Sequence, residues 1–234
     1  MKLSRAIIGI FFILWVCNYS SVSAQQSKPV LMAQLTALQN DYVNRIKAMG
    51  YKPGLKVPPI VLNNPRSFGN YDDSTNTLQT CDWNTINPQI QQFFNQIAAK
   101  IGGGITGQKF FDVAVHKWIF IHEMSHWWRA CQHITADPYE NEKAANRLAS
   151  AYWNERDPAF YHFMVKYFTG VVTDTPSPVP AGISKEQYLK ENYNKLPGGH
   201  AYTWYQSIMI VEVSKEKPFE TFKQAVKLGG KPLR

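Results

Sequence analysis

His122-Glu123-Met124-Ser125-His126 gathers two imidazoles and a carboxylate within five residues. On a helix, His122 and His126 stand about 40° apart around the axis and one turn apart along it, so both rings can reach a single metal ion. Glu123 falls about 100° further round. It therefore does not ligate; it stands beside the ion, where a carboxylate can take a proton from a water that attacks a carbonyl. These residue types at this spacing supply most of a hydrolytic zinc site. The same pentapeptide also fits a core helix whose two histidines are buried and hydrogen-bonded.

Positioning the pentapeptide requires a helix, and residues 111 to 132 offer one: Gly and Pro are absent, and Phe111, Val115, Trp118, Ile119 and Ile121 form an apolar surface ahead of the motif. Asp112 stands near its expected start. A catalytic zinc takes three protein ligands and a water, so one more ligand is needed. A third histidine six residues after His126, with a glycine at the third, would complete one known pattern. Arg129 and Gln132 occupy those positions and His133 is one place late, so that pattern fails. The alternative is a glutamate from the next helix. Asp137-Pro138-Tyr139-Glu140 predicts a helix start, with Asp as N-cap, Pro at N1 and Glu closing a capping box, and the helix runs to about Glu155. Glu142 and Asn146 then share one face, which makes Glu142 the expected ligand. If Glu142 is instead a solvated helix residue, the third ligand lies elsewhere.

Over residues 112 to 152 the chain resembles the gluzincins, zinc metallopeptidases with H-E-x-x-H on one helix and a Glu on the next, commonly followed four residues later by Asp. Here the second element reads Glu142-Lys143-Ala144-Ala145-Asn146, and Asn146 departs from the Asp. In the family that acid orients a ligand histidine through its other ring nitrogen; an Asn carbonyl can accept the same hydrogen bond without the charge. The resemblance implies an α+β, zincin-like fold, with a small antiparallel sheet before the active helix and a mainly helical C-terminal lobe. It also implies that the last strand forms the cleft rim, where peptide substrates bind by strand addition.

Composition narrows the setting. Lys2 and Arg5, the apolar stretch Ala6 to Cys17 and Val22-Ser23-Ala24 predict a signal peptide over residues 1–24, and hence a secreted or periplasmic protein. A lipidated Cys17 is disfavoured because Val16 is not small. No later segment approaches the ~20 apolar residues of a membrane span. The formal charge is +8, of which Lys2 and Arg5 carry two; the excess suits an anionic envelope, but no Lys/Arg cluster suggests a nucleic-acid partner. Residues 25–234 suit one domain, with an upper lobe over about 25–133 and a lower lobe over about 134–234. Cys81 and Cys131 remain after cleavage, either as a disulfide or as two buried thiols.

The rest of the chain reads as supporting elements. Pro29 to Met49 predicts a helix stopped by Gly50, Lys56 to Leu62 an edge strand, and Gly69 to Asn76 a strand end plus turn; Thr77 to Trp83 predicts a second strand. Asn87 to Lys100 predicts a backing helix, Pro158 to Phe168 an aromatic helix, and Ser184 to Lys195 a polar one. Pro176, Pro178 and Pro180 mark a connector, and Pro197-Gly198-Gly199 a break. Amide hydrolysis also benefits from a second electrophile at the oxyanion, for which His200, Tyr202 and Tyr205 are the candidates after that break. His116 is expected near the site or at the surface, and Trp127-Trp128 in packing. The expectation is an exported zinc metallopeptidase acting on peptide or protein substrates, with a cell-wall peptide amidase or a non-catalytic exported zinc-binding protein as alternatives. Oligomeric state is open.

Overall fold

The chain lays down helix α1 (Lys28–Ala48), strands β1 (Ile60–Leu62), β2 (Gly69–Asp72) and β3 (Thr77–Thr80), and helices α2 (Pro88–Ile101) and α3 (Gly107–Val113). A π-helical segment (Ala114–Ile119) joins α3 to α4 (Phe120–Cys131). Then follow α5 (Pro138–Arg156), α6 (Pro158–Asp174), α7 (Lys185–Asn192), a 3-10 turn (Tyr193–Lys195), α8 (His200–Lys215) and α9 (Phe222–Leu228). This computed structural model describes residues 27–196, 200–218 and 221–233; the expected leader at 1–24 and the Pro197-Gly198-Gly199 break lie outside the described residues. The fold is α+β and mainly helical.

The helix carrying the histidines begins earlier than the apolar pattern suggested. Thr106 caps α3, its hydroxyl accepting the Lys109 N–H at 3.1 Å. Asp112 lies within the helical run and bonds His116 Nδ1 at 3.1 Å instead of starting the helix. The π segment immediately before the motif was not legible as periodicity; such wide turns recur at functional sites. Helix α4 is central, and Phe120, Ile121, Met124, Trp127 and Trp128 are all buried around it, each side chain contributing on the order of 1.5–3 kcal/mol of transfer free energy. Both tryptophans serve packing, as expected, with their N–H groups donating to Lys56 O and Val226 O, each at 3.1 Å.

The sheet is mixed rather than antiparallel. Strand β3 lies in the middle, with β2 antiparallel (Gly69↔Thr80, Asp72↔Thr77) and β1 parallel (Ile60↔Leu78, Leu62↔Thr80). After β1 the chain crosses to the far side of β3's position, so the β2–β3 hairpin returns β3 alongside β1 in the same direction. Strand β1 is at an edge, as its prolines suggested. The rim assignment changes too: β3 has both edges occupied, and β2 is the strand that lies against α4. Gly69 permits that approach, since a Cβ there would stand 2.4 Å from Ile119 Cγ2 and 3.0 Å from Glu123 Cγ.

A main hydrophobic cluster runs through both expected lobes, from Leu35 and Trp118 to Leu148, Met164 and Phe222. A smaller one, around Tyr139, Leu189, Trp204, Tyr205 and Met209, belongs to the C-terminal half. Cys81 and Cys131 are free buried thiols, so the disulfide reading is replaced by its alternative. Cys81 Sγ donates to Pro65 O at 3.6 Å, and burial pushes its pKa up to about 12.

Candidate metal centre

Helix α5 is what turns the α4 motif into a three-donor site. Asp137 caps it, accepting the N–H groups of Tyr139 at 3.0 Å and Glu140 at 3.2 Å, so α5 starts where the sequence placed it. The Glu140 carboxylate faces Arg147 at 3.5 Å. From this start, Glu142 and Asn146 face α4. Donor atoms of His122, His126 and Glu142 all lie within 4.8 Å of one another. His122 Nε2 is 3.1 Å from Glu142 Oε2 and 3.1 Å from His126 Nε2, and His126 Nε2 is 3.7 Å from Glu142 Oε1. His122 and Glu142 are buried and His126 is partly exposed. Two imidazoles and a carboxylate form a set that could hold a metal ion, and the three predicted ligands are the three brought together.

The hydrogen bonds around this group determine one another. Gln206 Nε2 lies 2.7 Å from Glu142 Oε2, and an ionised carboxylate only accepts, so the Gln206 amide must donate there. Gln206 Oε1 is thereby turned to accept Asn146 Nδ2–H at 3.0 Å. Asn146 Oδ1 is left to accept from His122 Nδ1 at 3.0 Å. With its proton on Nδ1, His122 presents the Nε2 lone pair to the donor cluster. His122, Asn146, Gln206 and Glu142 thus form a closed circuit. Asn146 does for His122 what the sequence suggested, through an amide.

Two further side chains support the cluster. Tyr193 donates to Glu142 Oε1 at 2.5 Å. Asn141 Nδ2 lies 3.3 Å from His126 Nδ1, while Asn141 Oδ1 accepts from Arg129 Nε at 3.0 Å. Tyr193, Gln206 and Asn141 were not singled out from the sequence. Asn141 precedes Glu142 by one residue, and the other two arrive from separate helices with no spacing signal to the motif.

Glu123 stands beside the donors and is buried. Its Oε2 accepts the Tyr71 backbone N–H at 2.8 Å, an outward-facing donor of edge strand β2. His122, Glu123, Asn146, Tyr202 and Gln206 all border a cavity of about 760 Å³. Tyr202 is therefore at the site, its hydroxyl accepting from Gln206 Nε2 at 3.0 Å, so its own O–H remains a donor. Tyr205 is not: it is fully buried in the smaller cluster, stacks on Tyr188 at 6.2 Å and donates to Lys185 O at 3.1 Å. His200 is exposed at the start of α8, its ring 6.3 Å from that of Phe93. His116 is a buried strut, its Nε2 2.8 Å from Cys81 O.

Burial opposes charge throughout the site, and pairing overrides it. For Glu142 burial works to raise the pKa, but His126 and His122 hold the carboxyl well below the usual carboxylate range. For His122 burial works to lower it, yet Glu142, then Glu123 and Asn146, leave it raised. Burial, then the charges of Glu142 and Glu123, push the Tyr202 hydroxyl well above its ordinary value, keeping it protonated. No family model matches this chain, nor does any characterised protein or solved structure. Among the described residues no helix is long and apolar enough to cross a membrane.

Proposed function

We propose that this chain is an exported, gluzincin-like zinc metallopeptidase, in which His122, His126 and Glu142 hold the metal and Glu123 is the general base. The observation carrying this reading is that all three donors converge while Glu123, one residue from His122, borders the same cavity. A set of two histidines and one glutamate suits zinc in a catalytic rather than a structural site, because structural zinc takes four protein ligands. Zinc bound there would supply a Lewis acid and a water of lowered pKa.

The protein's own groups do the rest. The Tyr71 N–H holds Glu123 Oε2, which fixes the carboxylate's plane, so that Glu123 can accept a proton from the attacking water and pass it to the departing amine. Tyr202, kept protonated and bordering the cavity, can donate to the oxygen of the hydrated amide as it gains charge. The Asn146 amide and the Tyr193 and Gln206 donors fix the orientation of His122 and Glu142. The basic N-terminus and apolar stretch of residues 1–24 support export.

The test is Glu123→Gln at matched zinc occupancy, assayed on a quenched peptide library and on cell-wall peptides. Zinc content should stay near one per chain, while turnover falls by ~10²-fold to 10⁴-fold. His122→Ala, His126→Ala or Glu142→Ala should each abolish stoichiometric zinc. Equal rates for wild type and Glu123→Gln would refute the catalytic assignment, and wild-type zinc content in Glu142→Ala would refute the ligand set.

A further inference from the structure

The cavity beside the donors has a composition of its own. On one side it is bordered by His122, Glu123 and Tyr202; its remaining wall is largely aromatic, including Phe93, Phe94, Phe110, Trp118, Tyr167 and Phe168. Beyond His122 and Glu123 no charged side chain borders it, so a charged group entering would lose its hydration without a counter-ion. One wall residue breaks the apolar pattern. Trp118 is 1% exposed, and its indole Nε1–H has no hydrogen-bond partner. It belongs to the π-helical segment that leads into the motif, as do Ala114 and Ile119, which also border the cavity. Trp118 is wedged against α6, with ring centroids 5.6 Å from Phe168 and 6.4 Å from Tyr161. A buried donor without a partner is costly, and it favours a ligand that brings an acceptor.

From this wall, resting on the hydrolase reading above, we infer that the cavity is the substrate side-chain pocket and selects an aromatic residue with an acceptor at its tip. In a peptide that residue is tyrosine. Its ring meets the aromatic wall, and its phenolic oxygen accepts from Trp118 Nε1, while the adjacent peptide bond lies at Glu123. Phenylalanine fills the same space but leaves the indole N–H unpaired. A saturated acyl chain would fill it too, with no acceptor at its end.

The full chain loaded with zinc is incubated with a mixed peptide library, and the residues on each side of every cleaved bond are counted by mass spectrometry. At one of the two positions tyrosine should exceed phenylalanine by about five-fold to ten-fold, the worth of one neutral hydrogen bond. Asp and Lys should be depleted by more than about 100-fold there. Trp118→Phe removes the donor and should bring the Tyr-to-Phe ratio to about one, a ratio that is independent of any change in overall rate. Ala114→Leu narrows the pocket without touching the indole, and should shift the profile towards small residues.

A second arm measures binding without turnover. Zinc-loaded Glu123→Gln is titrated with N-acetyl-tyrosinamide, N-acetyl-phenylalaninamide and N-octanoyl-glycinamide, followed by NMR shifts of tryptophan indole N–H groups. The tyrosinamide should bind tightest and move one indole resonance that is absent in Trp118→Phe. If no peptide is cleaved but this ranking holds, the hydrolase reading fails and the pocket assignment stands. Cleavage with no tyrosine preference overturns the pocket and leaves the hydrolase reading intact. Equal binding of the two aromatic probes, or tightest binding of the octanoyl probe, also overturns the pocket assignment.

Discussion

Gln206→Leu isolates the circuit that orients the donors, because leucine nearly preserves the volume while deleting both ends of the amide. Two buried partners lose a hydrogen bond: Glu142 Oε2, previously at 2.7 Å, and Asn146 Nδ2, previously at 3.0 Å. Glu142 keeps Tyr193, but the Asn146 side chain, fully buried, keeps only its contact to His122 Nδ1. Each unsatisfied buried group costs about 1–3 kcal/mol. Gln206 itself is only partly buried, so water can replace some of what is lost, and the expected destabilisation is about 2–4 kcal/mol in all. Loss of orientation at both His122 and Glu142 should weaken zinc binding by about 10-fold to 100-fold. Urea unfolding of the metal-free chain gives the first quantity, and competition against a chromophoric chelator gives the second. The reasoning is refuted if stability changes by less than about 0.5 kcal/mol, within the range of an ordinary surface substitution, and zinc affinity is unchanged.

Gly69→Ala should lower both stability and turnover, since its Cβ would meet Ile119 and Glu123; overpacking of this kind costs about 1–3 kcal/mol, and a thermal melt beside a rate measurement checks it. Burial works to raise the Glu216 pKa, but Arg147, then Lys143, hold it below its ordinary 4.5. A depressed folded pKa means the unfolded chain binds the proton more tightly, so this stabilisation is full above about pH 4.5 and fades as pH falls further. Glu216→Gln should accordingly flatten the acid limb of the stability profile below about pH 4.5 and lower the plateau at neutral pH. Intact-mass analysis of the mature protein without reductant should show Cys81 and Cys131 unmodified by iodoacetamide in the native state and both alkylated once the chain is denatured.

What the sequence disclosed and what it hid separate by range. His122, Glu123 and His126 were readable because one helix fixes their relations, and Glu142 with Asn146 because the Asp137 cap sets the phase of α5. Tyr202 and Gln206 are four apart on α8 and share the site-facing side, whereas Tyr205 turns into the other cluster. Nothing in the local pattern of α8 separates these faces, because apolar residues occur all around it. Tyr193 was hidden for a related reason: the predicted helix from Ser184 ends at Asn192 and tightens into a 3-10 turn that aims the phenol at Glu142. The sheet's parallel pair was invisible because β1 reaches β3 past the intervening hairpin, a choice made by packing rather than by turn residues.

The circuit around His122 also sets the order in which this protein becomes itself. Its closing bonds join residues 64 and 60 apart in the chain, and the bond that holds Glu123 joins residues 52 apart. Contacts of such separation pay their loop-closure entropy before they return anything, so they form after the helices and their nearest neighbours. The two histidines, by contrast, are neighbours as soon as α4 exists. A chain part-way through folding would therefore hold a loose two-histidine half-site well before α8 arrives, and acquisition of the full donor set reports the last long-range docking rather than the first collapse.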